Sequence, residues 1–155
     1  MINFSDLLLS DTVLNNVAAS NKKALFQQLS PILAEAHGLD AKAIITVLGD
    51  RERLGSTGFG GGIAIPHGKL AGLDRVIGVF AHLAQPIDFQ AIDDLPVDIV
   101  FALLSPPDSG ADHLKTLARV SRRLRDRGFV AKLRGAGSPD ALYALWTGDE
   151  ARDAA

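Results

Sequence analysis

Two histidines stand where an imidazole nitrogen could do chemistry. His67 follows four glycines in GFGGGIAIPHGK, residues 58–69, and His113 lies at the start of a helical pattern in ADHLKTLARV, residues 111–120. Ile63 and Ile65 alternate with Ala64, which predicts a short strand over 62–66 that stops at Pro66, a residue with no N–H to give a central ladder. Counting by twos puts His67 on the side of Ile63 and Ile65, just past the end of the ladder, with one ring nitrogen facing outward. The neighbouring glycines have no side chains to block a partner, and they leave backbone N–H groups accessible to an anion. His113 precedes Leu117 by four residues and Val120 by seven, so it shares their stripe while occupying the first helical turn. Free N–H groups and the helix dipole favour negative charge there. Two such rings and a helix N-terminus suit a phosphoryl group, one imidazole as nucleophile and the other as hydrogen-bond donor. With an unperturbed pKa of about 6.5, the attacking nitrogen is largely neutral near pH 7, as nucleophilic attack requires.

Plainer accounts stand beside this one. Read alone, His67 is equally a surface-turn histidine, and His113 a buried histidine capping its own helix. Arg51 at a helix end is by default a solvated cation offsetting the dipole, and Ser56 and Thr57 are turn residues. Helical phase places Arg51, seven residues after Ile44, on the inner face, yet it does not decide between Arg51 and Arg53. Other site signatures fail. A P-loop needs four residues between its two glycines and a hydroxyl after the lysine, whereas five separate Gly62 from Gly68 and Leu70 follows Lys69. The glycines follow a helix and open a strand, the reverse of a dinucleotide fingerprint, and LGSTG is not a nucleophile elbow. His37, His67, His82 and His113 show no zinc-type spacing, so no metal and no cofactor is expected. His37 reads as a helix end before Gly38, and His82 as a satisfied core histidine.

These residues need a scaffold, and 155 residues make one ordinary domain. At 47% hydrophobic and 22% charged, with a net charge of -2, the composition gives no bulk reason to bind nucleic acid or an acidic membrane. No cysteine is present, which removes disulfides and thiolate chemistry and accords with a reducing cytosol. The start carries no basic leader, and IVFALL, the longest strongly apolar run, is far too short to span a bilayer, so a cytoplasmic protein without an anchor is expected. Leu25, Leu29, Ile32, Leu33 and Ala36 predict a first helix capped by Ser20 or Asn21. Asp40 predicts a second, with Ile44, Ile45, Val47, Leu48 and Leu54 on its inner face. Residues 75–89 and 95–107 contain strands apolar enough to be covered on both sides. From Asp112 a helix buries Leu114, Leu117, Val120 and Leu124 and turns Lys115, Arg119, Arg122, Arg123 and Arg125 to water. A last helix runs from Pro139 or Asp140 through Trp146, leaving 150–155 as a polar tail after a domain of residues 1–149. The order predicts an α/β sandwich, a mixed sheet flanked by helices.

The stretch DRERLGSTGFGGGIAIPHGKL resembles the active-histidine segment of phosphotransferase-system IIA components of the fructose and mannitol type, most closely the nitrogen-regulatory branch. QPIDFQAIDDLPVDIVFALLSPPDSGADHLKTLARVSRRLRD resembles the same family through its second histidine helix, and the likeness spans nearly the whole chain. The resemblance implies the mannitol-type IIA sandwich. It further implies that His67 takes a phosphoryl group on Nε2 from a histidine-phosphorylated carrier of the HPr type, that His113 holds the phosphoryl oxygens, and that Arg51 adds charge stabilisation. Ser56 and Thr57 match the S-T before the glycines and would donate nearby. The implied output is state-dependent binding of regulatory targets, such as potassium-transport or sensor-kinase components. A sugar-transport IIA that relays phosphate to a IIB domain is the alternative, with an unphosphorylated docking module as a third, which two intact histidines disfavour.

Overall fold

In the computed structural model, which describes residues 3–154 and their side chains as far as 148, the chain opens with one helical turn, α1 (Phe4–Leu7), a 3-10 turn at Ser10–Thr12 and a strand, β1 (Val13–Val17). Both predicted caps then act. Asn21 Oδ1 accepts from Ala24 N at 2.8 Å and starts α2 (Lys22–His37), and Asp40 Oδ1 accepts from Lys42 N at 3.1 Å and starts α3 (Ala41–Leu54). Each side-chain oxygen replaces an acceptor that a helix start lacks. Gly38 ends α2 at φ 66°, a conformation that costs glycine little.

Three short strands follow, β2 (Gly58–Gly60), β3 (Ile63–Ala64) and β4 (His67–Lys69), then two long ones, β5 (Ile77–Ile87) and β6 (Val97–Ser105). The sheet order is β1-β5-β6-β3-β2, with β4 also paired to β6. β5 and β6 are antiparallel, whereas β1 runs parallel to β5, and β3 and β4 run parallel to β6. The sheet is therefore mixed, as expected. The predicted end of the ladder at Pro66 is corrected: proline withholds a donor and keeps its acceptor, so Leu103 N bonds Pro66 O at 2.8 Å and pairing resumes with His67 opposite Leu103.

α4 (Ala111–Leu124), α5 (Arg127–Gly135) and α6 (Pro139–Ala154) complete the chain. Alternation along the central strands separates two apolar layers. Val79, Ala81, Val100, Ala102 and Leu104 meet Leu25, Leu29, Leu33, Ile44 and Leu48 of α2 and α3. Phe80, Ile99, Phe101 and Leu103 meet Val120, Leu124, Leu133, Leu142 and Trp146 on the other face. Trp146 is the hub of that side, edge-on to Phe4, Phe80, Phe101 and Phe129 with centroids 4.9 to 5.3 Å away.

Two expected core positions face water. Leu114 is 66% and Leu54 86% exposed. Each stands six residues from a buried neighbour on its helix, Val120 and Leu48, which is about 120° around the axis and off the packed stripe. Thr116 takes the place of Leu114 in the α4 stripe. The basic face of α4 is not wholly wet either, since Arg119 lies over the Phe4 ring and Arg123 over the Phe129 ring. The backbone of the expected polar tail continues α6 to Ala154, while Ala155 and the side chains of 149–154 lie outside the described residues. No described helix is long and apolar enough to cross a membrane.

Candidate active site

His67 lies in β4 and His113 in the first turn of α4, and the fold brings their rings together with centroids 5.5 Å apart and planes inclined by 51°. The approach follows from the sheet. Ile99, Phe101 and Leu103 point at α4, and His67, the first residue of β4, sits beside Leu103, two residues before β6 ends and the chain turns back into α4. Gly68 makes room on the opposite face, because a Cβ there would run into Val47 Cγ1 of α3.

Each ring is held by one nitrogen. His67 Nδ1 lies 2.8 Å from Ile65 O, a carbonyl that can only accept, so Nδ1 carries the proton and Nε2 keeps its lone pair. His113 Nδ1 lies 2.5 Å from Ser105 Oγ. Both imidazoles are pushed below the ordinary histidine pKa. For His67 burial is the main cause; the Ile65 carbonyl works against it, the Arg51 charge adds to it and the Glu52 charge opposes it. For His113 burial again leads, with His67 and Lys69 adding to it. The pair is therefore neutral near pH 7, one ring presenting a nucleophilic nitrogen beside a second ring and the start of α4, a helix end without a side-chain cap.

Arg51 and Arg53 separate cleanly. Arg51 donates to Gly55 O at 2.8 Å, and its charge is one of the smaller causes that lower the His67 pKa, whereas Arg53 pairs with Asp50 on the surface. Ser56 and Thr57 are engaged in the turn. Ser56 Oγ donates to Phe89 O at 2.5 Å, and Thr57 Oγ1 donates to Glu52 Oε1 at 2.5 Å. Neither hydroxyl is directed at His67. The expectation of free N–H groups in the glycine run is corrected at two positions: Gly61 N donates to Asp93 Oδ2 at 2.9 Å and Gly58 N to Ser56 Oγ at 3.1 Å. Arg134 braces the same turn, donating to Gly61 O and to both oxygens of Asp98.

Two residues of the site have no local signal in the sequence. Glu52 is a buried carboxylate that accepts from Thr57 N at 3.0 Å and from the Thr57 hydroxyl, with Lys22 Nζ 3.6 Å away. Ser105, at the end of β6, is fully buried beneath His113. His37 ends α2 as read, whereas His82, though it contacts Asn15 Oδ1 at 3.1 Å, is half-buried and not a core histidine. Among the described residues no group of three or more His, Asp or Glu side chains is arranged to hold a metal.

Residues 6–147 match the family described as phosphoenolpyruvate-dependent sugar phosphotransferase system, EIIA 2. The chain is 45% identical over 141 residues to a nitrogen regulatory protein of Bradyrhizobium diazoefficiens, covering 91% of this chain and 92% of that one. The fold superposes on nitrogen regulatory protein IIA-Ntr from Neisseria meningitidis with a TM-score of 0.87 at 30% identity, over 93% of this chain and 99% of that one. It also superposes on IIA mannitol from Escherichia coli with a TM-score of 0.74 at 20% identity, over 90% and 98% of the two chains. With its paired histidines on this sandwich, the chain belongs to the EIIA 2 family of the phosphoenolpyruvate-dependent sugar phosphotransferase system.

Proposed function

We propose that this chain is a cytoplasmic nitrogen-regulatory IIA protein in which His67 is the phosphoryl acceptor. The observation that carries the reading is the state of the His67 ring: its Nδ1 proton is engaged by Ile65 O, which leaves Nε2 as the free base beside His113. The lone pair of Nε2 attacks the phosphorus of a phosphohistidine on an HPr-like carrier. An N–P bond forms at His67 as the carrier's P–N bond breaks, and the released electron pair returns to the carrier's ring nitrogen. The His67 ring then bears positive charge, which the Ile65 carbonyl offsets. His113 and Arg51 stabilise the charge on the phosphoryl oxygens, and the start of α4 adds its dipole.

Exposed apolar side chains on three elements that contribute to the site would serve the carrier as a docking surface. Leu114 adjoins His113, Leu54 ends the helix that carries Arg51, and Ile92, 85% exposed, bonds the glycine turn through Gly58 O. Exposed apolar side chains of this size around polar catalytic groups suit a transient protein partner. Phosphorylation puts up to two negative charges at His67, so a regulatory target that buries the bare ring loses affinity for the modified protein. The kinship with nitrogen regulatory proteins favours this regulatory output over sugar relay.

The test is incubation with phosphoenolpyruvate, an enzyme I type kinase and its HPr-type carrier, followed by intact mass. One acid-labile phosphate on the native chain and none on His67→Ala is expected. No phosphate from either a nitrogen-branch or a sugar-branch carrier would overturn the reading.

A further inference from the structure

We infer that Ser105 is a positioning residue, whose hydroxyl sets the tautomer of His113 so that its Nε2 carries the proton and points a donor into the site. The inference rests on the phosphotransfer reading for its consequence and on geometry for its premise. Ser105 closes β6 with no exposure, and period-two alternation puts its side chain on the face of Phe101 and Leu103, under α4. The backbone there is pinned by the β4 ladder, with Lys69 opposite Ser105 and Leu70 N bonded to Ser105 O at 2.9 Å. The serine is therefore fixed to the strand that faces His67.

The direction of the Ser105–His113 bond follows from satisfying every proton. Among the described residues, Ser105 Oγ has one partner, His113 Nδ1, at 2.5 Å. If Nδ1 held the proton and donated it, the serine proton would be left without an acceptor in a fully buried place, which costs free energy that an alternative arrangement avoids. With the hydroxyl donating, both groups are satisfied, Nδ1 is the acceptor, and the neutral ring must carry its proton on Nε2. The two histidines then hold opposite tautomers. Ile65 O keeps the proton on Nδ1 of His67 and frees its Nε2 to attack, while Ser105 keeps the proton on Nε2 of His113 to donate. Without Ser105, His113 could present a lone pair to the incoming phosphoryl oxygens and repel them.

The experiment is long-range proton–nitrogen correlation NMR of the unphosphorylated full chain at neutral pH, on the native protein and on Ser105→Ala, a change that removes one oxygen and leaves the strand. The native His113 is expected as a single Nε2–H tautomer, and Ser105→Ala as a mixture with the His67 signals unchanged. A native His113 protonated on Nδ1, or an identical His113 spectrum in the variant, would overturn the inference. In parallel, transfer from the phosphorylated carrier is expected to slow roughly tenfold in Ser105→Ala, with the carrier concentration for half-maximal rate unchanged. Equal rates would overturn the catalytic consequence. If the native chain takes no phosphate at all, the phosphotransfer reading falls, and the spectra still decide what Ser105 does to His113.

Discussion

The rings of His67 and His113 meet at 5.5 Å although they belong to different elements, one the start of a parallel strand and the other the first turn of a helix. The proposed function gives the two rings unequal roles, and replacement separates them. His67→Gln is expected to abolish phosphate incorporation. His113→Gln is expected to retain a slow reaction at His67, reduced by about 100-fold or more, as when one preorganised donor is lost from a developing anion. Time courses by intact mass distinguish the two, and equal loss in both variants would remove the division of labour.

Arg51 and Arg53 offer a charge test. Arg51 is one of the groups that hold the His67 pKa down, while Arg53 is paired with Asp50 in solvent. Arg51→Ala should raise the His67 pKa in an NMR titration, and Arg53→Ala should leave it where it is. A rise in the second variant would mean that the wrong arginine has been assigned.

Acid stability follows from the same burial. His37, His67 and His113 all have pKa values lowered from the ordinary histidine value, chiefly by desolvation. A base with a folded pKa below its unfolded one binds fewer protons when folded, so its stabilising contribution is full above about pH 6.5 and is lost as the pH falls through the folded value. The midpoint of thermal unfolding should therefore drop between about pH 7.5 and about pH 5, and drop less when His67 and His113 are both replaced by Gln. An equal slope in both proteins would show that these rings do not govern it.

Glu52 anchors the turn that leads to the glycines. It accepts from both donors of Thr57 while buried, with Lys22 as its ion-pair partner. Glu52→Ala strands those donors and is expected to cost about 2–4 kcal/mol in urea unfolding. Glu52→Gln keeps an acceptor oxygen and should cost less. A loss below about 1 kcal/mol for the alanine variant would mean that the turn is held by something else.

Gly68 sets the distance between α3 and the strand of His67. A methyl group there would overlap Val47 Cγ1, so Gly68→Ala should destabilise by about 1–3 kcal/mol through overpacking and slow phosphate uptake as β4 shifts. Pairing it with Val47→Ala, which vacates the space, should restore both. Failure of that rescue would place the cause elsewhere.

The chain's local chemistry decided a good deal. Asn21 and Asp40 cap helices because their side chains sit where a helix start lacks acceptors, and residues 77–87 and 97–105 are strands because their apolar runs suit a sheet covered on both faces. The spacing of His67 after the glycines and of His113 in a first helical turn also marked both rings as candidates. Periodicity could not tell which apolar residues a neighbour would cover, and so Leu54 and Leu114 were legible as apolar but not as exposed. Nor could it see β1 and β4, whose few residues become strands only because β5 and β6 supply partners. The Glu52–Thr57 brace and the Ser105 bond to His113 were decided by tertiary structure alone. Residue type states what a side chain can donate or accept; packing decides which partner it meets.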